Sequence, residues 1–252
     1  MIARVSLVFG AFRPEDEALG VREISRRTGL AASTVSRIVR ELVEHKFLEQ
    51  AGSEVRIGLR FFELGEQAAT PHELRRLALA SMSDLRGATR QTVHLAVLDG
   101  TEVVYVIKLR SRTAPPLGSR VGGRLPAHAT GVGKALLAFA GTAVVDRVIA
   151  EGLTRLGPGT ITSPARLREE LAAIRESGIA YETEESGPGV ECVAAPIRHR
   201  GGTPIAGLSI STRAGDSDVA ALGPAVRTAA IALGRQAARM PGFGGAEWAG
   251  LR

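Results

Sequence analysis

The chain has 252 residues, 44% hydrophobic and 23% charged, with one cysteine, a formal net charge of +6 and a sequence pI near 10.3. That length holds one large domain or two ordinary ones, and the apolar content suffices for a core. No apolar run approaches the roughly 18 residues of a membrane-spanning helix, the opening MIARVSLVFGAFRPEDE turns charged too soon for a signal peptide, and the lone Cys192 excludes an internal disulfide and fits a reducing cytoplasm.

The basic balance admits acidic partners, nucleic acid included. The distribution is more informative than the sum. Residues 1–70 carry ten Arg and Lys against ten Asp and Glu, so that segment is neutral. DNA binding there requires geometry that gathers the arginines on one side.

Residues 20–46, GVREISRRTGLAASTVSRIVRELVEHK, read as two short helices about Gly29, which permits a tight turn. Val21, Ile24 and Arg27 cluster on the first helix. Val35, Ile38, Val39 and Leu42 give the second helix a buried face. Ser33, Ser36, Arg37 and Arg40 fall on the opposite side, with Thr34 beside them. A helix-turn-helix needs this arrangement: an anchored second helix presenting short polar and cationic side chains to a major groove. Phe47-Leu48 and Val55-Arg56-Ile57 then read as strands around Ala51-Gly52-Ser53, which makes a wing. The candidate DNA-contacting set is Arg26, Arg27, Ser33, Thr34, Ser36, Arg37, Arg40, Lys46 and Arg56. An ordinary helical unit with solvated arginines is the competing reading.

Phe61–Gly65 opens a linker helix, and Thr70-Pro71-His72-Glu73 has the form of a capped helix start. The expected division is a winged helix-turn-helix over 1–60, a linker helix over 61–71 and a second domain over 72–252. In that domain, strands are expected at Thr92–Leu98 and Glu102–Leu109 about an Asp99-Gly100 turn. A polar loop follows over Arg110–Pro126, then a helix over Ala129–Ala140 and another from Ser163-Pro164 to Gly178. Strands at Ile179–Thr183, Gly189–Arg198 and Pro204–Thr212 precede a last helix from about Asp218 to Met240. The fold class is α+β, an antiparallel sheet with flanking helices.

HATGVGKALLA, residues 128–138, looks at first like a phosphate loop. That motif needs Gly, four residues, then Gly-Lys-Ser/Thr. Here His128 stands at the first glycine position and Ala135 at the hydroxyl position, so a nucleotide-hydrolysing site is rejected. Glycine-rich backbone at a helix start still favours an anion, a carboxylate included. On that reading Lys134 is a solvated helix residue and His128 caps or packs at the helix start. No CxxC or HExxH appears, so no metal is expected. No cysteine-enzyme signature surrounds Cys192, so no catalytic residue is assigned. In IAGLSIS, Gly207, Ser209 and Ser211 face one way and Leu208 and Ile210 the other, so the serines line either a pocket or the solvent.

Taken in order, LAASTVSRIVREL, VRIGLRFFELGE, VHLAVLDGTEVVYVIKL, GGRLPAHATGVGKALLA and GVECVAAPIRHRGGTPIAGLSIS resemble the IclR family of bacterial transcriptional regulators, over roughly residues 5–235. The resemblance implies a winged-helix domain joined to a GAF-like effector domain. It implies a dimer, or a dimer of dimers, on palindromic operator DNA, repressing or activating, with no cofactor and no membrane. It places a small organic-acid effector at Gly131 and Val132, through their N–H groups, and at Glu182, Cys192, Ser209 and Ser211. Two departures stand out. Thr-Arg-Ala-Gly-Asp follows Ser211 in place of the family's Gly-Pro, and Glu182 is one carbon longer than aspartate. A sensor or enzyme without DNA binding is the alternative function.

Overall fold

Apolar residues spaced along one face of a helix create its core contact, and the first unit is assembled from three such helices. The computed structural model describes residues 1–67, 69–111, 118–199, 202–216 and 218–240, with residues 69–71 described by their backbone alone. The chain divides into two compact units, Met1–His72 and Glu73–Arg252.

In the first unit, α1 (Ile2–Gly10), α2 (Val21–Thr28) and α3 (Ala32–Glu44) surround a core containing Val8, Ile24, Val35, Ile38, Val39 and Leu42. The α2–α3 turn passes through Gly29 at φ +71°, a left-handed conformation that costs glycine little. Strands β1 (Leu48–Ala51) and β2 (Glu54–Ile57) pair antiparallel and form the wing, which Leu48 and Val55 fasten to the same core. Helix α4 (Arg60–Glu66) follows, and the rings of Phe9, Phe47 and Phe61 meet edge-on or tilted.

In the second unit, α5 (Ala69–Thr89) leads into β3 (Thr92–Asp99), β4 (Glu102–Leu109) and β5 (Arg124–Pro126). A 3-10 turn at Ala127–Ala129 precedes α6 (Gly131–Leu137), α7 (Thr142–Glu151) and α8 (Pro164–Ser177). Then come β6 (Ala180–Thr183), β7 (Val190–Arg198), β8 (Pro204–Arg213) and α9 (Val219–Ala237). The sheet is antiparallel in the order β5-β4-β3-β8-β7-β6. On one face Val93, Leu95, Val193, Leu208 and Ile210 pack with Leu74 and Met82 of α5 and Val226 and Leu233 of α9. On the other, Ala96, Leu98, Val103 and Ala194 pack with α6, α7 and α8. A bulge between Leu95 and Ala96 reconciles the two alternations along β3.

Several boundaries depart from expectation. The opening apolar patch is helix α1, whose Val5, Val8, Phe9 and Phe12 carry the helical spacing. The 61–71 linker is α4 ending at Glu66 and a separate α5 beginning at Ala69, so Thr70 lies within the helix; its expected side-chain cap falls outside the described side chains. The β3–β4 turn is Gly100-Thr101, because Asp99 still pairs with Glu102. The loop expected over 110–126 ends in β5, and its residues 112–117 lie outside the described residues. The helix expected over Ala129–Ala140 is only Gly131–Leu137, and α7 beyond it had no expectation at all.

Candidate functional site

Two arrangements concentrate polar chemistry, one in each unit. In the first, α3 buries Val35, Ile38, Val39 and Leu42 and leaves Ser33, Ser36, Arg37 and Arg40 exposed, with Thr34 half-buried. Its N-cap is Ala31, which has no side-chain acceptor for the first-turn N–H groups. The Thr34 N–H already donates to Ala31 O at 2.9 Å, which leaves those of Ala32 and Ser33 for an anion.

The remaining cations differ in freedom. Arg26 pairs with Glu23 at 2.6 Å on the surface, and the two arginines Arg26 and Arg27 hold the Glu23 carboxyl down at about 2. Arg56 pairs with Glu49 at 2.9 Å, also at the surface. Lys46 is exposed at φ +62° just before the wing. Arg27 does not belong with the surface set. Its side chain is 14% exposed, and its guanidinium donates to Ala11 O at 2.8 Å, to Glu23 Oε1 at 2.6 Å and to Asp16. It ties α2 to the segment before it, because five donors in a fixed fork can satisfy several acceptors at once.

The second arrangement is a cavity of about 370 Å³ between the sheet and α6. It is lined by Gly131, Val132, Glu182, Cys192, Ser209 and Ser211, so the residues expected at an effector site do share one space. Gly131 allows this closeness: a Cβ there would lie 3.2 Å from Cys192 Sγ and 3.4 Å from Glu182 Cβ. Gly207 acts likewise, since a Cβ there would collide with Val132 Cγ2. Ser209 and Ser211 are 1% and 6% exposed, which settles the choice between pocket and solvent for that strand face.

Sequence reasoning missed other lining groups. His94 and Tyr105 stack edge-on with centroids 5.3 Å apart, and Ser119, Leu156 and the turn Ser186-Gly187-Pro188 complete the wall. A histidine and a tyrosine inside the otherwise apolar strands TVHLAVLD and EVVYVIKL were the available signal. Ser119 Oγ and Ser211 Oγ lie 2.9 and 3.4 Å from the two His94 ring nitrogens.

Burial lowers His94 to about 3, so the ring is neutral at physiological pH. Burial pushes the Cys192 thiol up to about 12, although Ser211 and Ser209 hydrogen-bond to it. A neutral thiol and a neutral imidazole that only share a cavity wall are not the activated pair that nucleophilic catalysis requires. Among the described residues no group of three or more His, Cys, Asp or Glu is placed to hold a metal ion. No helix among them is long and apolar enough to cross a membrane.

One expectation about HATGVGKALLA is narrowed and another corrected. The N-cap of α6 is Thr130, whose Oγ1 accepts from Gly133 N at 3.0 Å, so of its two expected roles His128 takes packing, with Nε2 3.1 Å from Thr154 O. Lys134 is not solvated. It is 1% exposed, and its ammonium donates to Glu185 Oε1 at 2.6 Å, Tyr181 O at 2.8 Å and Glu170 Oε1 at 2.9 Å. The sequence concealed this because both carboxylates lie at least 36 residues away. Glu185 Oε2 is buried with no partner among the described residues, and burial raises this carboxyl to about 7.

Comparison with known proteins agrees with both units. The IclR helix-turn-helix domain matches residues 2–52, and the bacterial transcriptional regulator IclR C-terminal domain matches residues 66–235. The chain is 34% identical to the HTH-type transcriptional regulator XynR of Escherichia coli over 93% of its length and 95% of XynR. It is 35% identical to E. coli KdgR, covering 83% of this chain and 82% of KdgR. An IclR homolog from Microbacterium hydrocarbonoxydans, solved in complex with 4-hydroxybenzoate, superimposes with a TM-score of 0.86 at 34% identity, covering 93% of this chain and 97% of that one. The Thermotoga maritima IclR structure gives 0.77 at 26% identity, over 94% and 98%. These relatives are transcriptional regulators and not enzymes, and the chain belongs with them to the IclR family as a DNA-binding transcriptional regulator.

Proposed function

We propose that this regulator binds palindromic operator DNA as a homodimer, alone or paired into a tetramer, in the cytoplasm, and that a small organic acid in the second domain controls it. The observation that carries the DNA half is the division of α3 into a buried apolar stripe and an exposed Ser/Arg face. Arg37 and Arg40 are its base-reading candidates, since guanidinium reaches guanine edges bidentately. Ser33, Thr34 and Ser36 allow close approach, and the uncapped first turn of α3 suits a phosphate. Lys46, Arg26 and Arg56 serve backbone phosphates, the last two by exchanging a surface carboxylate for one. Arg27 is a structural tie. We assign DNA binding to residues 1–60 and effector binding to the part beyond residue 72.

The effector half rests on the cavity, whose volume and mix of apolar wall with convergent hydroxyls suit a small molecule. Ser209, Ser211 and Cys192 offer hydrogen bonds, and Gly131 and Val132 offer backbone donors. The 4-hydroxybenzoate held by the Microbacterium homolog makes an aromatic acid a sensible first probe. Regulation requires that the acid bind the two DNA-binding arrangements of the dimer with different affinity.

The test is a binding titration on operator-containing DNA across salt concentrations, with and without carboxylic acids. DNA binding through phosphates gives a linear loss of log affinity with log salt, and the effector acid displaces that line. Ligand binding with no salt-dependent DNA affinity rejects the proposal.

A further inference from the structure

Among the described residues, Glu182 is the one charged side chain lining the cavity. It is 4% exposed and its carboxylate is already engaged. Oε2 accepts the Gly131 N–H at 2.9 Å, and Oε1 accepts the Ser186 N–H at 2.8 Å together with the Ser186 hydroxyl. The Gly131 N–H is one of the two donors proposed above for the effector's acid. One N–H cannot serve two carboxylates well, and two carboxylates side by side repel. Among the described residues no cation in the lining relieves them. His94 is neutral, and all three donors of the nearby Lys134 are committed to Glu170, Glu185 and Tyr181 O.

We infer that Glu182 is a resident substitute for the effector's acid, and that an acidic effector binds by exchange, taking the Gly131 N–H as the Glu182 carboxylate leaves it. Glu182 thereby sets which acids bind and how tightly. The inference rests on the organic-acid reading of this cavity.

Exchange has a structural consequence. When Glu182 leaves, Ser186 loses both of its bonds to that carboxylate, and Ser186, Gly187 and Pro188 form part of the cavity wall. The neighbouring Glu185 holds the same turn to α6 through Lys134, and the Lys134 ammonium also meets Glu170 of α8. Occupancy is therefore felt by the turn first and by two helices next. A ligand without an acid, bound among Ser209, Ser211 and Cys192, leaves Glu182 in place.

The experiment is calorimetric titration of the full chain and its Glu182→Ala, Glu182→Gln and Glu182→Asp variants with 4-hydroxybenzoate, benzoate and acetate, each against its uncharged amide. The expected result in Glu182→Ala is an acid affinity at least about tenfold tighter than in the unaltered protein, with the amide little changed. Glu182→Gln keeps shape and acceptor but removes the charge, so it gives a smaller gain in acid over amide. Glu182→Asp, one carbon shorter, lies between. Circular dichroism confirms that each variant is folded, and Glu182→Gln carries the test if the alanine variant is not. Acid affinity that falls or stays unchanged on removing the charge overturns the inference, as does an equal rise for acid and amide. Amides that bind where no acid binds to any variant reject the organic-acid reading itself. Binding of no probe by any variant removes both.

Discussion

Arg27 and Lys134 are held alike and behave differently. Each cation meets two carboxylates and one backbone carbonyl: Asp16, Glu23 and Ala11 O around Arg27, and Glu170, Glu185 and Tyr181 O around Lys134. Arg27 sits at the edge of water and is 14% exposed, whereas Lys134 is 1% exposed. Around Arg27 the attraction dominates: its hydrogen bond lowers the Asp16 carboxyl, and Arg26 first and Arg27 second bring Glu23 down to about 2. Around Lys134 desolvation dominates, and Glu185 rises to about 7 despite an ammonium at 2.6 Å. The same ion-pair chemistry therefore does opposite work in the two units. At the DNA-binding unit it trims a surface; beside the cavity it stores a charge that only the surrounding fold keeps in place.

Breaking the buried network should cost most. Lys134→Met leaves Glu170 and Glu185 without their common cation, and loss of one partner of a buried pair typically costs about 3–5 kcal/mol. Urea unfolding of the full chain, followed by circular dichroism, measures it. A loss below about 1 kcal/mol would show that the surrounding protein relaxes enough to admit water. Arg27→Met should cost visibly less in the same experiment, since its carboxylates can return to solvent.

The next effect concerns DNA. Arg37→Ala and Arg40→Ala should each weaken operator binding by about 1–3 kcal/mol if they read bases. Arg26→Ala should weaken it less and equally for operator and random DNA, because Glu23 already offsets that charge and phosphate contacts carry no sequence information. Gel-shift titrations with both DNAs decide it. Equal losses on the two DNAs for Arg37 would move that residue from base reading to backbone contact.

The comparison also explains what was legible in the sequence. Local periodicity gave α2, α3, the wing and the later strands, because burial on one face repeats every 3.6 or every 2 residues. Strand parity placed Ser209 and Ser211 opposite Leu208 and Ile210, and the sheet keeps that division. Positions carried over from the family's pattern, Gly131, Val132, Glu182 and Cys192, do line one cavity. Whatever depended on distant partners was not legible. Lys134 reads as a helix-surface lysine until α8 and the turn after β6 close over it. His94, Tyr105 and the 186–188 wall come from three segments with no shared motif. Arg27 looked free for DNA because Asp16 and Ala11 precede it by more than a helical turn. Helix α7 was missed although its Val144, Val145 and Val148 carry the spacing and Gly152 ends it, since the Gly141 that starts it offers no side-chain cap.

The smallest of these effects has the most distinctive sign. Glu185 titrates near 7 in the folded chain against an ordinary value of 4.5. Between those values the folded state binds more protons than the unfolded one, so this carboxyl's contribution to stability falls as pH rises through that window. Lys134, Glu170 and Glu182 are the charged groups facing it, the first favouring its ionised form and the other two opposing it. Glu185→Gln removes the titrating group but retains an oxygen for the ammonium. The variant should lose less melting temperature than the unaltered chain between pH 5 and pH 8. A difference of about 1 kcal/mol corresponds to roughly 2–4 °C in a domain of this size. His94, buried neutral at about 3, contributes in the opposite sense: its stabilisation is present above its ordinary 6.5 and is lost as pH falls toward 3. Both proteins retain His94, so the difference between their thermal melts from pH 4.5 to 7 isolates Glu185. Parallel melting curves there would mean that the Lys134 ammonium keeps Glu185 ionised throughout, and that attraction wins inside the second unit as it does at Arg27.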